Sequence, residues 1–299
     1  MRIVRAARAD NNIFGQTLRR PRNSFRLTSM SSFDCAYAKS AWRDPNSYAY
    51  AELTRPGWAW EFLRRHPVFR RVWRQAHTSF EQNHPVEHHR VIVAQGSHVE
   101  NWRCLYSDPP CRQAQAAAVF WDPDLHGSVL RVRTYQAGTR PDGRTFDLAA
   151  IDCPHVLLRS ENGREHLLFH ESGRSLQLAI SGVSVAQPVH LVAEAVLPSR
   201  DVNSQLWAMR CLDGLLVSGR LLPTHFPVEN RSARLRTVLQ ALDGWLAEAP
   251  PREIALACYG AKRVETHWND PGNHLRDNLR RTIQRGRELM NGGYLQFLR

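Results

Sequence analysis

The stretch CYGAKRVETHWNDPGNHLRDNLRRTIQRGRELM, residues 258–290, decides how the chain reads. A helix is expected to stop at Gly260, thirteen residues lead to Asn273, and a second helix with five arginines follows. On that helix Leu275, Leu279, Ile283, Gly286 and Met290 recur at helical spacing and form one apolar stripe facing a core. Arg276, Arg280 and Arg287 share another face, with Arg281 and Arg285 beside it, and Asp277 and Glu288 are the only acids from His274 to Met290. Such a helix spans about 25 Å, and its cationic side suits the major groove of DNA, which admits one α-helix. Asn273 stands where an N-cap would. Lys262, Arg263, His267 and Trp268 fall in the connection. A short helix, a turn and a longer basic helix follow the order of a helix-turn-helix, but the usual turn of three to four residues is stretched here. Charge alone does not separate this reading from a solvated arginine face on a structural helix.

Working outward, NRSARLRTVLQALDGWLAEAPP spaces Leu235, Val238, Leu239, Leu242 and Leu246 for a helix that Pro250-Pro251 ends. PREIALACYG starts a short helix at Pro251 and stops it at Gly260. Further upstream, from about 117 to 196, the texture is that of strands. Turn signals at Pro123–Gly127, Glu161-Asn162-Gly163 and Glu171-Ser172-Gly173 separate apolar runs and predict consecutive hairpins in a small antiparallel sheet. Between about 33 and 82 the texture is helical again. Asp44 and Pro45, then Pro56, mark helix starts. His66-Pro67 interrupts, because proline disfavours α geometry in the residue before it. Phe69, Val72, Trp73 and Ala76 line one face of the segment that resumes. Four of the nine tryptophans, Trp42, Trp58, Trp60 and Trp73, lie in this region. With Tyr48 and Phe62 they either form an ordinary core or anchor a partner, since large aromatics are favoured at interfaces.

The whole chain has 299 residues, 42% hydrophobic, and a formal net charge of +12. That composition supports packed cores and favours an anionic partner, with plain solubility as the bland alternative. No apolar run reaches the length of a membrane span. The six cysteines are scattered, with no CxxC, and read as reduced thiols. Residues 1–26 carry seven arginines and one acid. Residues 1–32 are expected to be a disordered basic extension, with Met30 as a candidate start. The predicted organisation is α+β: a helical N-terminal domain and linker over 33–112, a β-hairpin region over 113–198, and a helical domain over 199–299 that carries the extended-turn helix-turn-helix pattern.

WRDPNSYAYAELTRPGWAWEFLRRHP resembles the N-terminal domain of proteobacterial transcriptional regulators carried on conjugative elements. YGAKRVETHWNDPGNHLRDNLRRTIQRGRELMNGGY resembles their C-terminal domain, a helix-turn-helix variant with an extended turn. Both in one chain are similar to the FseA-like activators of excision of integrative and conjugative elements. The resemblance implies that the C-terminal domain binds promoter DNA and meets the N-terminal domain on its other face. It also implies that an acidic single-domain antiactivator holds the N-terminal domain, that RNA polymerase is a partner, and that the protein works on the bacterial nucleoid in the cytoplasm. The DNA role is carried onto Lys262, Arg263, His267, Arg276, Arg280, Arg281 and Arg285. Interdomain or antiactivator contact is carried onto Trp42, Tyr48, Trp58, Trp60, Phe62 and Trp73. Residues 199–299 are expected to fold and bind DNA alone.

Rival chemistries find little in the sequence, and neither catalytic residues nor a cofactor are expected. A tyrosine recombinase would need a His-x-x-Arg pair, and no histidine has an arginine three positions on, although Tyr294 is late in the chain. His84, Glu87, His88 and His89 could ligate a metal but sit in a proline-containing loop without a second cluster. No phosphate-binding G-x-x-x-x-G-K-[ST] loop and no G-x-S-x-G elbow occur. A protein-binding antiactivator without DNA affinity is the remaining alternative, and the basic last helix argues against it. Membrane-surface binding lacks bulky aromatics on the stripe.

Overall fold

The structure, a computed structural model, describes residues 41–48, 53–77, 89–94, 100–138, 145–160, 163–194 and 202–299. The expected basic extension, Met30 and the loop residues His84, Glu87 and His88 lie outside the described residues. A 3-10 turn at Pro45–Tyr48 follows Asp44, whose carboxylate accepts the Asn46 N–H at 2.9 Å. Helix α1 (Arg55–Leu63) has proline in its first turn. It stops before the His66-Pro67 break, and α2 (Pro67–His77) resumes at the proline. Nδ1 of His66 accepts the N–H groups of Val68 and Phe69 at 3.2 and 3.4 Å, which caps α2. Burial holds that imidazole neutral, with its pKa lowered to about 4.

Among the described residues nine strands follow: β1 (His89–Ala94), β2 (Cys104–Ser107), β3 (Val119–Trp121), β4 (Leu130–Gln136), β5 (Thr145–Phe146), β6 (His155–Ser160), β7 (Glu165–Glu171), β8 (Arg174–Gly182) and β9 (Val189–Ala193). Among the described residues β2 and β3 pair as a hairpin, and the rest form one sheet in the order β1-β6-β7-β8-β4-β9-β5. The meander β6-β7-β8 is the pair of antiparallel hairpins expected from the turn signals. Ser172 and Gly173 both take positive φ, 51° and 80°, the pairing a tight hairpin with right-twisted strands requires. The sheet is nevertheless mixed, because β1 runs parallel to β6 and β4 parallel to β8. These pairings join distant segments by crossovers, which turn signals do not mark.

The helices α3 (Val202–Ser218), α4 (Ser232–Leu246), α5 (Pro251–Tyr259), α6 (Ala261–His267) and α7 (His274–Met290) complete the chain, with a last 3-10 turn at Gly293–Phe297. None of the described helices is long and apolar enough to cross a membrane.

Two large cores divide these elements in an order the chain does not follow. One gathers the sheet residues Leu130, Leu157, Leu167, Phe169 and Leu178 against Ala208, Cys211 and Leu215 of α3. The other joins Trp58, Phe62 and Trp73 of the N-terminal helices to Leu239 and Leu242 of α4, Leu279 and Met290 of α7, and Tyr294 and Phe297 at the C-terminus. The N-terminal helices therefore complete the same core as α4 and α7. Phe62 stacks on Phe297 with centroids 6.2 Å apart, and the Tyr294 hydroxyl donates to the Trp102 carbonyl at 2.9 Å. Arg55 on α1 holds the carbonyls of Gln296 and Arg299 at 2.5 and 2.9 Å.

A buried polar network crosses this second core. Glu61 on α1 accepts from Arg64 at 2.7 Å, from Arg65 at 2.6 Å and from the Ala114 N–H at 2.8 Å. Burial alone would raise the Glu61 pKa, but the Arg64 and Arg65 guanidiniums and these hydrogen bonds hold it below the ordinary carboxylate range. Arg65 also reaches Asp243 on α4, which accepts the Tyr48 hydroxyl at 2.6 Å.

Candidate nucleic-acid interface

The basic segment is built on α5, α6 and α7. Pro251 opens α5, and Gly260 closes it at φ 83°, a left-handed position that favours glycine. The connection expected after Gly260 is itself mostly helix: α6 begins at Ala261 and runs to His267. Val264, fully buried, anchors that helix, and proline and glycine are confined to Pro271-Gly272. The true turn before α7 is therefore only residues 268–273. It is pinned by the Trp268 N–H on the Val264 carbonyl at 2.9 Å and the Asn273 N–H on the Asp270 carbonyl at 3.0 Å.

Asn273 occupies the N-cap position, but its side chain does not cap α7. At φ 51° and ψ 13° it lies in the left-handed region rather than in the extended geometry a capping side chain needs. Its side-chain amide oxygen Oδ1 instead accepts from the Arg276 guanidinium.

The α7 stripe packs inward as its spacing predicts. Leu275, Leu279, Gly286 and Met290 are buried and Ile283 is half-buried, and Leu289 joins them. Gly286 has a specific reason. A β-carbon there would sit 2.9 Å from Cβ of Leu242 and 3.1 Å from the Val238 carbonyl oxygen, so α4 and α7 cross in contact at this point. Tyr259 on α5 is tied to Thr282 on α7 at 3.1 Å between hydroxyls, which fixes α5 to the basic helix.

All seven residues assigned to DNA are exposed: Lys262, Arg263 and His267 on α6, and Arg276, Arg280, Arg281 and Arg285 on α7. Their environments differ. Arg263 lies over the Tyr259 ring, 5.5 Å from its centroid. His267 pairs with Asp270 at 2.9 Å, Arg280 with Asp277 at 2.8 Å, and Arg285 reaches Gln296 at 3.1 Å and Glu288 at 3.6 Å. Lys262 and Arg281 form no ion pair with a described residue. Arg287 is drawn inward over the Trp245 ring, 4.7 Å from its centroid, and belongs to the packing. The exposed pairs with Asp277 and Glu288 are worth little in water, so phosphate oxygens compete for these guanidiniums at small cost.

The six aromatic residues assigned to interdomain or antiactivator contact are all buried, none more than 5% exposed. Tyr48 and Phe62 touch the C-terminal helical part directly, and the Trp42 carbonyl accepts from Gln240 of α4 at 2.9 Å. Trp60 and Trp73 donate to the carbonyls of Arg112 and Ser107 at 3.0 and 3.1 Å, so they brace the loop and hairpin beside them. The polar network of Glu61, Arg64, Arg65 and Asp243 was not foreseen. Its signal was available in the three charges Glu61, Arg64 and Arg65, spaced i, i+3, i+4 from the last turn of α1 into the residues just after it.

Among the described residues no group of histidine, cysteine, aspartate and glutamate could hold a metal ion. Two family comparisons match this chain. Residues 41–95 match the proteobacterial transcriptional regulator-like domain. Residues 196–299 match the family described as T6SS, transcription factor, DNA binding domain, of the RovC type. No curated protein matches the chain.

Proposed function

We propose that this chain, a DNA-binding transcription regulator by its two domain matches, activates the promoters that launch excision and transfer of an integrative and conjugative element. The observation that carries the DNA contact is the exposed cationic set on α6 and α7. The opposite side of α7 is locked into the core at Gly286, so the arginines sit on a rigid support. In this reading the first residues of α7 enter the major groove, and Arg276 and Arg280 stand nearest the bases. Lys262 and Arg263 hold the phosphate backbone. Residues 199–299 form the DNA-binding domain and residues 33–112 the regulatory domain. RNA polymerase and an acidic single-domain antiactivator are the protein partners, and the nucleoid is the place of action.

The antiactivator is proposed to engage the N-terminal helices. Their aromatic side chains already lie against α4 and the C-terminal turn, so a competitor would have to open that contact. The family description names T6SS, which supports a second set of targets, promoters of secretion genes. Gel-shift titration of the purified chain against element promoters, secretion promoters and random DNA tests both. Preferential binding to element promoters supports the first reading. Preference for secretion promoters replaces the target, and equal affinity for all three removes sequence-specific activation.

A further inference from the structure

Ala233, Arg236, Thr237 and Gln240 are spaced i, i+3, i+4 and i+7 and share one face of α4. With the N-terminal segment and the end of α5 this face bounds an open groove of about 410 Å³. Gln240 is buried, and its Nε2 donates to the carbonyls of Trp42 at 2.9 Å and Ala257 at 3.1 Å, which ties the N-terminal segment to the last turn of α5. The Tyr48 hydroxyl on Asp243 fixes the same segment to α4. Arg43 enters the groove from that segment and Arg236 from α4, and among the described residues no carboxylate lines it. Arg236 is half-buried and forms no ion pair with a described residue. Arg43 lies over the Trp42 ring and pairs with Glu253 at 2.7 Å, with side chains 55% and 45% exposed. A pair that exposed is worth little in water.

We infer that this groove is a second seat for the DNA backbone, in which Arg236 and Arg43 hold phosphate oxygens. The N-terminal segment then grips the duplex together with α6 and α7. The inference rests on the DNA reading proposed above and extends it to α4 and to residue 43. Charge and continuity choose the occupant. The groove reaches Gly260, the residue before α6, which carries Lys262 and Arg263. Arg263 lies over Tyr259, and Tyr259 is bonded to Thr282 on α7. The cations of the groove and those of the two helices therefore follow one another around the end of α5. A guanidinium partly withdrawn from water and lacking a counter-charge gains most from an anion, and phosphate accepts its paired N–H groups. Such contacts fix position on the duplex and read no bases.

Affinity of the full chain for random-sequence duplex DNA, measured at several salt concentrations, tests the inference. Arg236→Ala and Arg43→Ala should each weaken binding and shrink the slope of log affinity against log salt by roughly one, with an unchanged melting temperature. Arg236→Lys keeps the charge and should restore the slope, which a merely structural arginine would not do. Ala233→Glu places a carboxylate in the groove and should weaken binding further. Lys262→Ala serves as the reference for a contact on α6. If it shrinks the slope while the Arg236 and Arg43 variants leave slope and affinity as in wild type, the groove proposal is overturned and the reading of α6 and α7 stands. A wild-type chain that binds no DNA overturns both. Inorganic phosphate forms a separate arm: if it raises the melting temperature of wild type but not of Arg236→Ala, and DNA affinity is the same for both, the groove is a small-anion site and the proposal fails.

Discussion

Arg65 grips both carboxylate oxygens of Asp243, at 2.7 and 2.8 Å, across 178 residues of chain. The guanidinium belongs to the segment after α1 and the carboxylate to α4, and both side chains are buried. This fork fixes the N-terminal helices to the helix that also supports α7. Removing one partner of such a pair strands a charge in the core. Asp243→Ala is expected to lower stability by about 3–5 kcal/mol, measured by urea denaturation. A loss under 1 kcal/mol would show that Glu61 alone satisfies Arg65.

The same fork changes what a truncation should do. A fragment of residues 199–299 keeps Asp243 but loses Arg65 and Tyr48, and it uncovers Phe297, which Phe62 stacks upon. We expect the fragment alone to melt well below the full chain and to recover when residues 41–77 are supplied in trans. Equal melting temperatures for fragment and full chain would show that the C-terminal helices need no completion.

Gly286→Ala probes the crossing of α4 and α7. The added β-carbon would meet Cβ of Leu242 at 2.9 Å and the Val238 carbonyl at 3.1 Å. Overpacking of this kind costs about 1–3 kcal/mol, against a gain in helix propensity of up to about 1 kcal/mol. The net expectation is a lower thermal midpoint and weaker DNA binding, because the arginines ride on the displaced helix. An unchanged midpoint would mean that α4 and α7 separate without cost.

Acid should loosen the same core. Burial lowers the pKa of His126 to about 4, and its Nδ1 lies 3.1 Å from the Leu298 carbonyl. The neutral ring can donate there and pin the C-terminus. The unfolded chain takes up this proton below about 6.5, while the folded chain resists until about 4. The stability is therefore full above 6.5 and lost as the pH falls through that window. His66 and His166, also lowered to about 4 by burial, act in the same direction. For His126 alone the loss at pH 5 is about 2 kcal/mol. Thermal melts between pH 7.5 and 5 should show a falling midpoint, and His126→Gln should flatten that slope while lowering the midpoint at pH 7.5. An equal slope in wild type and variant would discount this histidine.

Much of this arrangement was legible in local patterns. The stripe of α7, the stop at Gly260, the break at His66-Pro67 and the hairpin at Ser172-Gly173 are each determined by a few adjacent residues, so sequence shows them. Helix α6 was hidden because its single buried anchor, Val264, gives no period in seven residues. The failure of Asn273 to cap was hidden because identity does not reveal φ. The parallel pairing of β4 with β8 and the contact of Arg65 with Asp243 are set by tertiary structure, and no local spacing encodes them. The seven residues assigned to DNA could be named from residue type and position, but their different partners, such as Asp277 for Arg280, appear only with the fold.

Those partners lead to a graded expectation for DNA binding. Lys262 is exposed and forms no ion pair with a described residue, so Lys262→Ala should weaken binding to all sequences alike. Each lost phosphate contact releases fewer counterions, so the slope of log affinity against log salt should shrink by roughly one. Arg276 is held by Asn273 and Arg280 by Asp277, one turn apart at the start of α7. These contacts aim both guanidiniums before DNA arrives, which reduces the entropy lost in pairing with guanine O6 and N7. Arg276→Ala or Arg280→Ala should therefore cost about 1–3 kcal/mol on the cognate site and much less on random DNA. Asp277→Ala leaves Arg280 charged but unaimed. It should reduce the cognate-to-random ratio while raising affinity for random DNA, because one negative charge has left the face. Affinities for both DNAs at several salt concentrations separate these outcomes. A ratio that stays fixed for Arg276→Ala, Arg280→Ala and Asp277→Ala would assign this end of α7 to the phosphate backbone and move base reading to Arg281 and Arg285.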